Sequence, residues 1–160
     1  VIRPSFLAID PGPAQSGWAL MSGADLLGCG VEPNDDLLVR VAGHIGPMAV
    51  EMIASYGMAV GREVFETCVW IGRIVQASRS PEDVRLVYRS AVKVHLCRST
   101  KAKDSNIRQA ILDRYPRTGG GATPQVGTKA RPGPLYGVSS HAWPAIGVAL
   151  TAQEAPACPT

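Results

Sequence analysis

The chain begins with a short apolar run, Phe6-Leu7-Ala8-Ile9, that stops at Asp10-Pro11-Gly12. A run of that length bounded by turn residues reads as a buried strand, which leaves Asp10 at the strand's exposed tip. Two further runs, Gly17 to Met21 and Leu26 to Val31, are separated by Ser22-Gly23-Ala24-Asp25, the pattern of a hairpin with a short glycine-containing turn. A chain that starts this way has to build a three-strand meander first, with one strand ending on a carboxylate.

The remaining pattern alternates helices and strands. Asn34-Asp35-Asp36 supplies N-cap chemistry for a helix over Leu37 to His44, which Gly46-Pro47 ends. Met48 to Ser55 reads as a buried strand in which Glu51 is the only charge, so that carboxylate needs a partner. Apolar residues recur at helical spacing from Ala59 to Ala77. Val84 to Tyr88 reads as a fifth strand, Ala91 to Cys97 as a short helix, and Asp104 or Ser105 caps a helix running to about Tyr115. Residues 116–139 hold six glycines, four prolines and no acidic residue, which predicts a long mobile loop. Gly121 to Gly127 followed by Thr128-Lys129 has the wrong spacing for a phosphate-binding P-loop. A last helix is predicted over His141 to Ala152. The expected organisation is one domain over 1–152, with a frayed tail at 153–160.

Composition excludes several classes. With 160 residues, 46% hydrophobic and 18% charged, the chain has enough apolar side chains for one core and too little charge for a disordered class. No apolar stretch approaches the roughly 20 residues that cross a bilayer, and no signal-peptide pattern opens the chain, so no membrane association is expected. The missing initiator Met suggests trimming or a few absent residues at the start. Cys29, Cys68, Cys97 and Cys158 stand far apart without a C-x-x-C pair, which predicts reduced thiols and a cytoplasmic setting. The charge is unevenly spread. Residues 1–84 carry five basic and ten acidic residues, whereas 85–131 carry eleven basic against Asp104 and Asp113 alone. A basic segment inside an acidic domain is the footprint of a polyanion-binding face or of a solvated helix surface.

The order of elements, with carboxylates in the first and fourth strands, resembles the ribonuclease H-like fold, an α/β architecture with a mixed five-stranded sheet flanked by helices. Leu7-Ala8-Ile9-Asp10-Pro11-Gly12 followed by Ser16-Gly17-Trp18-Ala19 resembles the first motif of RuvC-type Holliday-junction resolvases, and Val50-Glu51-Met52 resembles the second. The Gly61 to Gly72 stretch is similar to the helix that lines the DNA cleft in that family. Ser139 to Ile146 occupies the place of the last acidic motif. Phrases at Ser55 and Val64 are similar to those of the phage-encoded branch.

The resemblance implies phosphodiester hydrolysis with Mg²⁺, or Mn²⁺ as substitute, with Asp10, Glu51 and His141 as metal-ligating catalytic residues. Hard cations take oxygen ligands, and carboxylates on adjacent strands, about 4.8 Å apart, can converge on one ion. His141, at the start of the last helix, would be kept neutral by the helix dipole. Arg98, Lys101, Lys103 and Arg108 would contact DNA phosphates. The family's last helix offers an acidic residue three positions after the one matched by His141, and here that position is Pro144.

Each residue has a plainer alternative. Asp10 can simply begin an Asp-Pro-Gly turn, Glu51 can pair with Arg62 or Arg73, and His141 can bond a carbonyl at its helix start. Asp104 reads as a helix N-cap, Glu66 as helical surface, His44 and His95 as surface or packing residues, and Trp70 and Trp143 as core. The expected function is a metal-dependent, structure-selective endonuclease that cuts Holliday junctions or other branched DNA as a homodimer, in a bacterial or phage-infected cytoplasm. The alternatives are a non-catalytic branched-DNA binding protein with a degenerate metal site, and a nuclease acting on another nucleic acid.

Overall fold

In the computed structural model, which describes residues 4–155, five strands form one sheet in the order β3-β2-β1-β4-β5. Strands β1 (Phe6–Asp10), β2 (Gln15–Ser22) and β3 (Asp25–Pro33) are the expected antiparallel meander, while β4 (Met48–Met52) and β5 (Arg85–Tyr88) add in parallel. The β2–β3 turn is two residues long, and Gly23 takes the positive φ of 60° that such a turn requires.

Side-chain alternation divides the core. Leu7 and Ile9 of β1, with Met48 and Val50 of β4, face α1 (Asn34–Gly43) and α2 (Arg62–Ala77), packing on Leu37, Val41, Ile71 and Ile74. Phe6, Ala8, Ala49 and Val87 face the opposite layer, α3 (Arg89–Cys97), α4 (Asp104–Leu112) and α5 (Ala142–Glu154). The α5 helix is the central one of this layer. Every residue from Ala145 to Ala152 is buried, so it lies against the sheet on one side and α3 and α4 on the other.

The sequence reading needs correction in several places. Asn34 does not cap α1: Pro33 holds the cap position without a side-chain bond, because the buried Asn34 side chain is turned back to Ser16 and Gly12. Asp104 is not the cap of α4 either. Lys103 occupies that position, its N–H donating to the Asn106 side chain at 2.8 Å, and Asp104 is the first helical residue. Helix α3 begins two residues earlier than expected, at Arg89, and β4 stops three earlier, at Met52. Helix α5 continues to Glu154; the rest of the expected tail, 156–160, and Cys158 lie outside the described residues.

The segment 116–139 follows a fixed course instead of that of a mobile loop. Gly119 N–H donates to Pro124 O at 2.8 Å, Gly120 N–H to Arg131 O at 2.9 Å and Gly133 N–H to Val126 O at 2.9 Å. Gly119, Gly127 and Gly133 are glycine for a steric reason, since a Cβ at any of them would collide with neighbouring backbone. Leu135 is fully buried, with Val126 and Val138 packed beside it, so the loop is anchored into the core.

Candidate active site

Parallel register carries two carboxylates to the same place. Ile9 pairs with Val50, so Asp10 and Glu51 stand level at the carboxyl ends of β1 and β4. Alternation turns both to the α5 side of the sheet. Open α/β sheets bind ligands beyond the carboxyl ends of their strands. Glu51 in turn pairs with Val87 of β5, two residues before Arg89. The Arg89 guanidinium lies 3.4 Å from Glu51 and also contacts Asp104 closely.

Arg89 is therefore the partner that Glu51 needed. Arg62 and Arg73 are engaged elsewhere, Arg62 with Glu66 at 2.6 Å and Arg73 with Asp35 at 3.8 Å and over the Trp70 ring. The sequence reading missed the role of Arg89 because it counted the residue among the basic segment. Its one signal was position, immediately after the strand beside Glu51.

Burial dominates the electrostatics. Desolvation raises Asp10 to about 6, a shift that Arg89 and His141 oppose and Asp104 reinforces. Desolvation, with repulsion from Asp10, raises Glu51 to about 7 although Arg89 pulls the other way. Two carboxyl groups that hold their protons towards neutrality are short of positive charge.

The turn after Asp10 is built rigidly. Ser16 Oγ donates to Asn34 Oδ1 at 2.6 Å, Asn34 Nδ2 donates to Gly12 O at 2.9 Å, and Gly12 N–H donates to Ser16 Oγ at 3.2 Å, closing a ring of bonds. Sequence reading missed this ring, whose members lie up to 22 positions apart. Asp10 stands opposite Gly17 in the β1–β2 register, and Gly17 lets the His141 carbonyl approach so closely that no Cβ would fit. The start of α5 is thereby seated beside Asp10.

His141 is exposed and takes the N-cap position of α5 without a side-chain cap bond. It shares a cleft of ≈ 450 Å³ with Asp10, Gly12, Gln15 and Gly17. A second cleft, ≈ 290 Å³, is lined by Arg89, Asp104, Ser105, Arg108, Trp143 and Pro144. A roomier one of ≈ 540 Å³, around His44, Ser78 and Arg79, lies by Met48, at the other end of β4 from Glu51. Pro144 is the third residue of α5, within the first turn, where proline is tolerated.

Among the described residues, no three His, Cys, Asp or Glu side chains converge to form a metal-ligand set. Asp10 and Glu51 nevertheless fit a hard cation: both offer oxygen, both are under-compensated, and Mg²⁺ is commonly held by one or two carboxylates with water and substrate phosphate.

The basic segment divides in two. Arg85 bonds the carbonyls of Ala152 and Ala155, Arg114 and His95 hold Glu154, and Arg89 faces the carboxylates. Arg98, Lys101 and Lys103 are exposed on the α3–α4 turn, and Arg108 lies over Trp143, 4.8 Å from the ring centroid.

A solved structure of Thermus thermophilus RuvC superimposes with a TM-score of 0.61 at 18% identity, covering 92% of each chain. The chain has a RuvC-like fold. A second T. thermophilus RuvC structure, in complex with a Holliday junction substrate, gives 0.62 at 19% identity over 93% of this chain and 92% of that one. The mixed sheet and its flanking helices are thus the ribonuclease H-like arrangement that the order of elements implied. No protein-family model and no curated protein matches the sequence. No helix among the described residues is long and apolar enough to cross a membrane.

Proposed function

We propose that the chain is a divalent-cation-dependent endonuclease of the phage-like RuvC type that cleaves Holliday junctions or related branched DNA. The observation that carries this reading is the level placement of Asp10 and Glu51 at adjacent strand ends, half-buried and short of positive charge. Asp10 and Glu51 would hold Mg²⁺, or Mn²⁺ in its place. When bound, such a cation supplies an activated water and charge stabilisation for phosphodiester hydrolysis. The Gly12–Ser16–Asn34 ring and Gly17 fix the backbone on either side of Asp10, so its carboxylate is oriented before any ligand arrives. His141, which lines the same cleft, would offer an imidazole nitrogen to the cation or to a water.

Arg98, Lys101, Lys103 and Arg108 would hold phosphates around the site, reading backbone shape more than sequence. We place the protein in the cytoplasm of a bacterial or phage-infected cell, acting as a homodimer with two opposed sites. The T. thermophilus RuvC complex with a Holliday junction supports the choice of substrate.

A second reading, a branched-DNA binding protein without catalysis, is favoured by two observations. Pro144 offers no carboxylate at the start of α5, and Arg89 already engages Glu51. Incubating the protein with a four-way junction, a linear duplex and an RNA–DNA hybrid, each with Mg²⁺, Mn²⁺ or chelator, separates the readings. The nuclease reading expects cation-dependent cutting of the junction that Asp10→Asn abolishes while leaving junction binding in place. Binding without cutting under every condition would establish the second reading, and cutting confined to the hybrid would move the substrate to another nucleic acid.

A further inference from the structure

Arg89 touches its two carboxylates unequally. Its Nη2 is in close contact with Asp104, whereas its Nη1 stands 3.4 Å from Glu51, beyond the length of a strong charge-assisted bond. The loose contact is to a side chain only 13% exposed, and the close one is to a side chain 85% exposed. The Arg89 guanidinium stays protonated, as arginine does in proteins, and it contacts both the Glu51 and the Asp104 carboxylates. The site therefore has a permanent positive charge of its own, anchored at its solvent side.

We propose that Arg89 is a built-in counter-cation, tethered at Asp104, that occupies Glu51 until a divalent cation displaces it. The proposal rests on reading Asp10 and Glu51 as a cation site. A guanidinium N–H directed at Glu51 Oε2 uses an oxygen lone pair that an incoming cation needs, and two positive charges a few ångströms apart repel, so the two compete. Displacement does not strand the guanidinium. Asp104 lies on the first turn of α4 at the edge of the ≈ 290 Å³ cleft, and it retains Arg89 while the edge of the fork that faced Glu51 is freed for a phosphate oxygen. The arrangement offsets part of the Glu51 charge when no metal is present and raises the cation concentration needed to load the site.

Mn²⁺ binding, followed without DNA by the electron paramagnetic resonance of the free ion, tests this on the parent, Arg89→Gln and Arg89→Lys, each with and without Asp10→Asn. Arg89→Gln is expected to bind Mn²⁺ about tenfold or more tightly than the parent. Arg89→Lys, which keeps the charge and loses the planar fork, should fall between them. Asp10→Asn should abolish binding in every background. If Arg89→Gln binds no more tightly than the parent, the counter-cation role is overturned while the cation site stands; if Mn²⁺ binding survives Asp10→Asn, the cation site itself falls. Should Arg89→Gln fail to fold, Arg89→Lys carries the test, and an affinity equal to the parent's overturns the proposal. The tether has its own arm. Asp104→Asn should weaken Mn²⁺ binding in the parent and leave it unchanged in Arg89→Gln, whereas an equal loss in both would mean that Asp104 acts on the metal without Arg89.

Discussion

Asp10 and Glu51 hold their protons to about 6 and about 7, each above the ordinary carboxylate range because burial disfavours the charge. The folded chain then binds more protons than the unfolded chain between roughly pH 4 and 7. Their contribution to stability is fully present below the unfolded values and is lost as pH rises through the folded ones. In chelator, Asp10→Asn should match the parent near the acid end of that window and melt at a higher temperature at pH 8; parallel melting curves of the two across that range would contradict the assignment. Gly17 makes a second residue-scale test. Any side chain there meets the His141 carbonyl, so Gly17→Ala should displace the start of α5 and lose both stability and cleavage. Ser16→Ala opens the bond ring and leaves the buried Asn34 under-satisfied, which should lower the unfolding free energy by about 1–3 kcal/mol in a denaturant titration.

At the scale of elements, the first turn of α5 separates the two clefts, with His141 beside Asp10 and Pro144 beside Arg89 and Asp104. Pro144→Asp restores a backbone donor and adds a carboxylate beside Arg89 and Asp104, next to the proposed cation site. Cleavage measured against Mg²⁺ concentration should show a lower requirement than the parent; an unchanged requirement in a folded variant would mean that Pro144 faces away from the metal. The 116–139 loop can be tested through its glycines. Gly133→Ala forces a methyl against the Pro124 and Gln125 carbonyls and should unfold the loop's bond network. Gly137→Ala meets nothing within 4 Å and bears only the strain of φ 82°, so it should cost about 1–2 kcal/mol.

For the whole molecule, the exposed lysines of the α3–α4 turn and the most exposed apolar side chains of α2 and the turn before it form two separate surfaces. If the α3–α4 turn grips duplex phosphates, junction affinity should fall linearly with log salt, and Lys101→Ala with Lys103→Ala should flatten the slope by about 0.9 per lost contact. A slope that the double variant leaves unchanged would assign those lysines to a merely solvated face. Tyr56, Met58, Phe65 and Val69 are each more than 60% exposed on α2 and the turn before it, an apolar surface that the proposed homodimer would bury. Sedimentation should give a dimer for the parent and a monomer for Phe65→Glu with Val69→Glu, and a monomeric parent would remove the homodimer.

The order of elements along the chain was legible because local signals specify it: apolar runs of strand length, a short glycine-containing turn, and helical spacing between them. Glu51 was legible as a lone charge in a run that must be buried and Asp10 as the carboxylate that ends the first run, whereas their pairing as one site came from the resemblance. What the sequence could not reveal were contacts between distant positions. Asn34 has the local chemistry of a helix cap, yet a buried hydroxyl 18 residues away claims its side chain. Six glycines suggest mobility until close backbone approaches show that three of them, Gly119, Gly127 and Gly133, permit packing. Arg89 is one of eleven basic residues in its segment, and only the parallel pairing of β4 with β5 turns it from the surface towards Glu51. Local propensity acts over a few residues, whereas the charge balance of a buried site depends on which strand ends the tertiary fold sets side by side.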